Sequence, residues 1–327
     1  MQLFSHIDLL KLSFQEMIKR TSLFAHVDAL ELPFQLPLSR RLDALKLSLQ
    51  TLVEGWDVFD LALSMTLVLL MFYTSSYWYV RRPITLLCIA AILHPPLRRS
   101  KTFWLIITLI VGVSNYYNWR LVDNHQYLIT YWCLALYGSL LTANPGRVIA
   151  LNARWLIGLA FLFATLWKVI FSNDYLGGSF FHYTLLLDQR FESTATFFGG
   201  LTNEVFLQNR QALGKLLSYS STLQTVQLQD SPLVFWLAQS LTWWTICTEG
   251  LIAIAFLWPE GKLISKWRDW PLLLFLLTTY SVAPVLGFGC VLIAMGVAQC
   301  APTFKYTRLF YVVALFVIQI SYFISNL

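Results

Sequence analysis

The chain has 327 residues, of which 57% are apolar, 16% aromatic and 12% charged, and its formal net charge is +6. Soluble domains carry about 25% charged and about 45–50% apolar residues, so the composition points to a polytopic membrane protein and excludes a disordered chain and a disulfide scaffold. The basic balance does not indicate a nucleic-acid partner: the cations stand in short loops between apolar runs, where they set membrane orientation.

Residues 1–57 differ from the rest. They lack the cationic start, apolar core and small-residue cleavage site of a secretory signal peptide. They repeat: the octapeptide starting at Asp8 (Asp-Leu-Leu-Lys-Leu-Ser-Phe-Gln) returns with variations at Asp28 and at Asp43. Leu3, Ile7, Leu10, Phe14, Met17 and Ile18 follow helical spacing, which predicts peripheral amphipathic helices. Six basic and seven acidic residues leave this segment slightly acidic, so it is expected to pack on protein and not on anionic lipid.

From residue 58 onward, apolar runs predict membrane helices, since about 20 residues cross the hydrocarbon. The expected spans are 58–80, 102–118, 126–143, 154–171, 233–258 and 307–326. Two runs are ambiguous. Residues 83–97 are short, flanked by cations on both sides and ended by His94-Pro95-Pro96; residues 271–300 are long and contain Pro284, Gly287 and Gly289, which makes them one kinked helix or a broken pair. The expected fold is all-α: a transmembrane bundle of about 7–9 helices over residues 58–327, with peripheral N-terminal helices and a noncytoplasmic insertion at 172–232. A stretch of that length is expected to hold short helices and to cover a site.

The positive-inside rule puts residues 81–101, 144–154 and 259–270 in the cytoplasm. The N-terminal repeats, loop 119–125 and segment 172–232 then face the other side. Tyr77, Trp78, Tyr116, Tyr117, Trp119, Trp258, Trp267 and Trp270 stand at span ends, as amphipathic rings do at headgroup level. The five cysteines (88, 133, 247, 290 and 300) form no Cys-x-x-Cys pair and read as buried small hydrophobes, not as a zinc site or dithiol relay; sequence alone does not support a bridge between Cys290 and Cys300.

Ionisable residues are costly at membrane depth, and three places carry them. Asp123-Asn124-His125-Gln126-Tyr127 opens a span: Asp123 or Asn124 caps the helix, and His125 lies in its first turn, where the helix dipole favours a neutral imidazole. Lys168 ends an apolar run ahead of Ser172-Asn173-Asp174-Tyr175 and Gly177-Gly178. It either snorkels to the headgroups or is desolvated, and desolvation disfavours the ammonium and permits base chemistry. Glu249 lies inside the 233–258 span and must find a partner, for which Lys168, Arg154 and backbone groups are the candidates. His182 reads as a loop histidine. No haem, flavin or metal motif is present.

These motifs follow one another in a familiar order: Asp-Asn-His-x-Tyr-Leu at a helix start, Thr142-Ala143-Asn144 at its end, an apolar helix ending in Lys168, an acidic turn and Gly177-Gly178. The order resembles the HTTM family, the horizontally transferred transmembrane proteins related to vitamin K-dependent gamma-carboxylase. The resemblance extends over residues 55–325, with its motifs within 115–190. It implies a helix bundle with an active site near the noncytoplasmic face and a vitamin K-type quinol as substrate. It also implies that Lys168 is the base, with His125 in the neighbouring polar role. Asp123, Asn124, Tyr127, Asp174 and Glu249 are the candidate substrate-binding residues. Where the carboxylase has two adjacent lysines, this chain has Trp167-Lys168, and Tyr175 replaces the usual tryptophan. The carboxylase's large soluble domain has no counterpart in these residues, so quinol oxidation or epoxidation is expected ahead of protein carboxylation.

Two functions compete. One is a membrane enzyme with Lys168 and His125 at its centre. The other is a non-catalytic membrane subunit that docks a protein partner through residues 1–57 or 172–232. Membrane lipid is a partner in both. A secondary transporter is disfavoured, because no inverted repeat and few intramembrane charges are evident.

Overall fold

The computed structural model describes residues 57–75, 77–218, 227–282, 285–300 and 305–325, and all regular structure among them is helical. The N-terminal repeats therefore lie outside the described residues, apart from Asp57. The helices run in chain order α1 (Val58–Tyr73), α2 (Trp78–Leu93), α3 (Pro95–Arg98), α4 (Lys101–Tyr117), α5 (Asn124–Ser139) and α6 (Pro145–Leu166). A π turn, Trp167–Phe171, extends α6. There follow α7 (Asn173–Leu176), α8 (Ser179–Leu187), α9 (Glu192–Phe197), α10 (Asn203–Ser218), α11 (Pro232–Leu257), α12 (Leu263–Lys266), α13 (Asp269–Val282), α14 (Leu286–Gln299) and α15 (Lys305–Ser325). Two of them, α6 with its π turn (27 residues) and α11 (26 residues), are long and apolar enough to cross a membrane.

The helices gather into two compact units. The first holds the described residues through Leu156 together with Leu286–Phe316; the second holds Ile157–Val285 and the chain from Val317 onward.

In the first unit α1 and α2 form a hairpin. Asp57 caps α1, its Oδ1 accepting from the Phe59 N–H at 2.9 Å. The turn comes at residues 74–77, well before Pro83. There the Thr74 hydroxyl donates back to the Leu70 carbonyl and Ser75 Oγ accepts from the Tyr77 N–H, and such side-chain bonds compete with helix continuation. Helix α2 then runs through Pro83 and stops at Leu93, before His94-Pro95-Pro96. Its buried face is Val80, Ile84, Cys88 and Ala91, one stripe at helical spacing.

This hairpin separates cations that the sequence reading kept together. Arg99 reaches back to Asp57 and Asp60 at 2.7 and 2.6 Å, and Arg98 Nη1 donates to Ser64 Oγ at 2.9 Å. Arg98 and Arg99 thus share an end of α2 with the start of α1, whereas Arg81 and Arg82 lie in the first turns of α2, at its other end, because a helical turn and a half of chain before Pro83 belongs to the returning helix.

Helices α4 and α5 form a second hairpin. Asn115 on α4 donates to the Gln126 carbonyl and to Thr130 Oγ1 on α5, at 3.0 and 2.9 Å. Trp132 of α5 is wholly buried and its indole N–H donates to Thr66 Oγ1 of α1 at 2.9 Å. Helix α14 packs against both α1 and α5. Every residue of it except Phe288 is buried, as an all-round apolar helix requires.

In the second unit α11 and the part of α6 from Ile157 onward lie antiparallel. A Cβ on Gly158 would strike Leu257, and one on Gly250 would touch Thr165. Small residues at such crossings let apolar helices approach closely. Segment 172–232 holds the expected short helices. Tyr175, Phe181, Leu185, Leu186, Phe191 and Leu201 form a core with Val234, Ala238 and Ile246 of α11. The 271–300 run is a broken pair: α13 ends at Val282 and α14 resumes at Leu286. Four cysteines are buried as expected, but Cys247 is exposed, and all five are free thiols.

Candidate functional site

Helix α11 is mostly apolar, and of its few polar residues Gln239, Thr242, Thr245 and Glu249 form a stripe. Steps of three and four residues keep these on one face. The turn following α6 is fastened to this helix at three points. Gln239 Nε2 donates to the Gly177 carbonyl at 2.7 Å. Tyr175 is buried in a core it shares with Ala238 and Ile246 of α11. Lys168 Nζ lies 2.5 Å from both carboxylate oxygens of Glu249.

The Lys168–Glu249 pair is the chemical centre of this arrangement. The side chains are 17% and 8% exposed. The ammonium also stands 5.1 Å from the centroid of the Tyr175 ring, within cation–π range. Lys168 is carried by the π turn, a widened helical turn of the kind that recurs at functional sites. Gly178 closes the turn with φ +77°, and Gln239 Nε2 lies 2.6 Å from where its Cβ would stand. Only glycine meets both demands.

In the first unit the Asp123–Tyr127 cluster opens α5. Asp123 is its N-cap by backbone conformation, its carbonyl accepting from the Gln126 N–H at 2.9 Å, but its carboxylate makes no cap hydrogen bond. That carboxylate is largely exposed and lies 4.0 Å from His125 Nδ1. Asn124 is exposed, and the Tyr127 hydroxyl donates to the Trp119 carbonyl at 3.3 Å. His125 is held by shape. Its ring packs against Gly287 of α14, where an added Cβ would come within 2.8 Å of Cδ2 and 2.9 Å of Nε2.

The structure therefore joins two of the candidate residues, Lys168 and Glu249, in direct contact, and brings His125 near Asp123. Asp174 is exposed on α7 and does not enter the pair. His182 is more than a loop histidine. Its Nε2 is 2.8 Å from Asp230 Oδ2, and with Asn209, which bonds both the backbone N–H and the carbonyl of Gln229, it fastens residues 229–230 to α8 and α10. Sequence reading did not pick out Gln239 or Gly287 as partners in these sites. The available signal was the polar stripe of a mostly apolar helix and the Gly-x-Gly at 287–289. Among the described residues no three His, Cys, Asp or Glu side chains gather as a metal site.

No family model, no curated protein and no solved structure matches this chain.

Proposed function

We propose that this chain is a multi-pass integral membrane protein of HTTM type that takes up a proton from a lipophilic quinol at the Lys168–Glu249 pair. One observation carries the reading: a closely bonded ammonium and carboxylate sit on the two helices best suited to cross a membrane. Stability does not call for such a pair, since apolar replacements of buried ion pairs are often neutral or better. Ionisable groups at membrane depth are by default functional. The shorter apolar helices α1, α14 and α15 support several crossings. By the positive-inside rule the end of the first unit carrying Arg98, Arg99 and Lys101 is cytoplasmic.

The pairing alters the division of labour. A lone desolvated lysine would be the base. A lysine bonded to a carboxylate is a donor, and the carboxylate is the acceptor. In this reading Glu249 accepts the quinol proton, and Lys168 stabilises the phenolate as it forms. The Tyr175 ring faces the ammonium and holds it at this position. His125, fixed against Gly287, is the second proton-handling group proposed, with Asp123, Asn124 and Tyr127 around it.

The test uses purified protein in detergent with reduced naphthoquinone and dioxygen as electron acceptor, following quinone or epoxide formation and oxygen uptake. Turnover in the wild type that falls about 100-fold or more in Glu249→Gln and Lys168→Ala supports the reading, that being the usual worth of a positioned proton-transfer group. Absence of turnover in the wild type overturns it. The exposed polar residues of α10, Glu204, Gln208 and Arg210, favour a second reading, a non-catalytic subunit that docks a partner through 172–232. An inactive wild type that co-purifies with a stoichiometric protein supports that one.

A further inference from the structure

Between α9 and α10 the chain turns through Phe197-Phe198-Gly199-Gly200. Phe197 is 82% exposed and Phe198 61%, with ring centroids 4.7 Å apart and edge to face. No charged residue occurs from Ser193 to Asn203. The turn is seated on the start of α11. A Cβ at Gly199 would lie 3.0 Å from Val234 Cγ2, and one at Gly200 would lie 3.2 Å from Leu233 Cδ1. Leu233, Phe235 and Trp236, on the same first turns of α11, are exposed as well. Five large apolar side chains thus crowd around one end of a membrane-capable helix.

The level of that end follows from length. Helix α11 has 26 residues, about 39 Å at 1.5 Å per residue. The hydrocarbon layer is about 30 Å thick, and about 40–45 Å with both headgroup layers. Its far end is Trp258, followed by Pro259 and Glu260, which fixes that end at the opposite headgroups. The first turns of α11 then stand at the headgroup–acyl boundary on the near side, and the Phe197–Phe198 turn stands beside them.

We infer that Phe197 and Phe198 are a wedge set into the lipid bilayer at the boundary between headgroups and acyl chains, beside the first turns of α11. The occupant of this apolar face is phospholipid. Phenylalanine has no polar handle, so a pair of them gains from the acyl side of the boundary, whereas Trp236 beside them suits the headgroup side. The inference rests on the reading that α11 crosses the membrane.

Nitroxide labels on the full chain in phosphatidylcholine–phosphatidylglycerol vesicles test it. Cys247 is the exposed native thiol and the other four are buried, so Cys247→Ser is the background. Labels are placed by Phe197→Cys, with Phe198→Cys in parallel in case one variant does not fold. Leu251→Cys, on an exposed position of α11, reports the spanning helix, and Gln208→Cys reports the polar side of α10. Collision with oxygen reports lipid and collision with a water-soluble nickel chelate reports water. The expected result is that the 197 or 198 label follows the 251 label in favouring oxygen, while the 208 label favours nickel. Nickel access at 197 and 198 with oxygen access at 251 overturns the wedge and leaves the spanning helix intact. Exclusion of both reagents at 197 and 198 means that protein covers the face and also overturns it. Nickel access at 251 overturns the spanning reading itself, and the wedge with it.

Discussion

The two polar clusters are held by different forces. In the first unit His125 is fixed by shape, its ring lying on a glycine of a buried helix. In the second, Lys168 is fixed by charge, its ammonium bonded to Glu249 and facing the Tyr175 ring. A site fixed by shape tolerates loss of its polar atoms but not a change in volume. One fixed by charge tolerates isosteric apolar replacement of both partners but not loss of one. Each rule can be broken by substitution.

The largest effect is expected at the charge-fixed cluster. Glu249→Leu leaves a buried ammonium without its partner and should cost about 3–5 kcal/mol, read from thermal unfolding in detergent. Adding Lys168→Met should restore most of that loss; a double variant as unstable as the sum of the two singles would show that the pair is not a unit. At the shape-fixed cluster, Gly287→Ala pushes a methyl group into the His125 ring and should cost about 1–3 kcal/mol. His125→Ala in the same chain should recover it, and if it does not, the clash lies elsewhere. A smaller effect separates the parts of the second cluster. Tyr175→Phe keeps the ring that faces the Lys168 ammonium and removes only the hydroxyl, so a change of no more than about 1 kcal/mol with unchanged Lys168–Glu249 coupling is expected in a double-mutant cycle.

The smallest effect belongs to Asp188, in the short connection after α8 and away from both clusters. Burial pushes its carboxyl up, but hydrogen bonds from Arg190 and the charges of Arg190 and Arg210 outweigh this and hold it below its ordinary value. A depressed folded pKa stabilises the fold above the ordinary carboxylate value, and that contribution is lost as pH falls through the folded one. The pair is partly exposed, so the gap in stability between wild type and Asp188→Asn should stay below about 1 kcal/mol at neutral pH and close on acidification. A gap that widens in acid would contradict the sign.

Much of the helical content was legible because an apolar run long enough to bury itself has few other options. The ends were less so. Pro83 suggested a helix start, yet the chain turned at Ser75, because hydroxyls capturing nearby backbone groups leave only a faint compositional mark. That misplacement carried Arg81 and Arg82 to the wrong end of the hairpin. For the site, Glu249 announced that it needed a partner, and Lys168 was among those within reach of a plausible packing. What sequence could not supply was the register between α6 and α11, which depends on where Gly158 and Gly250 allow the backbones to meet. His125 was visible as a polar residue at a helix start, but its neighbour Gly287 is 162 positions away by simple subtraction of the two residue numbers, and a glycine carries no side chain from which to read a contact.

Helix α14 has a consequence for how the protein is made. It fills the centre of the first unit against α1 and α5, yet residue 286 is translated long after residue 139, where α5 ends. At about 5–20 residues per second, the ribosome needs roughly seven to thirty seconds to supply it. Through that interval the early hairpins must wait with an unfilled seam, and the second unit is synthesised in between. Assembly of the earliest helices is completed by one of the latest, so a chain cut before residue 286 would present that seam to the cell's quality-control machinery.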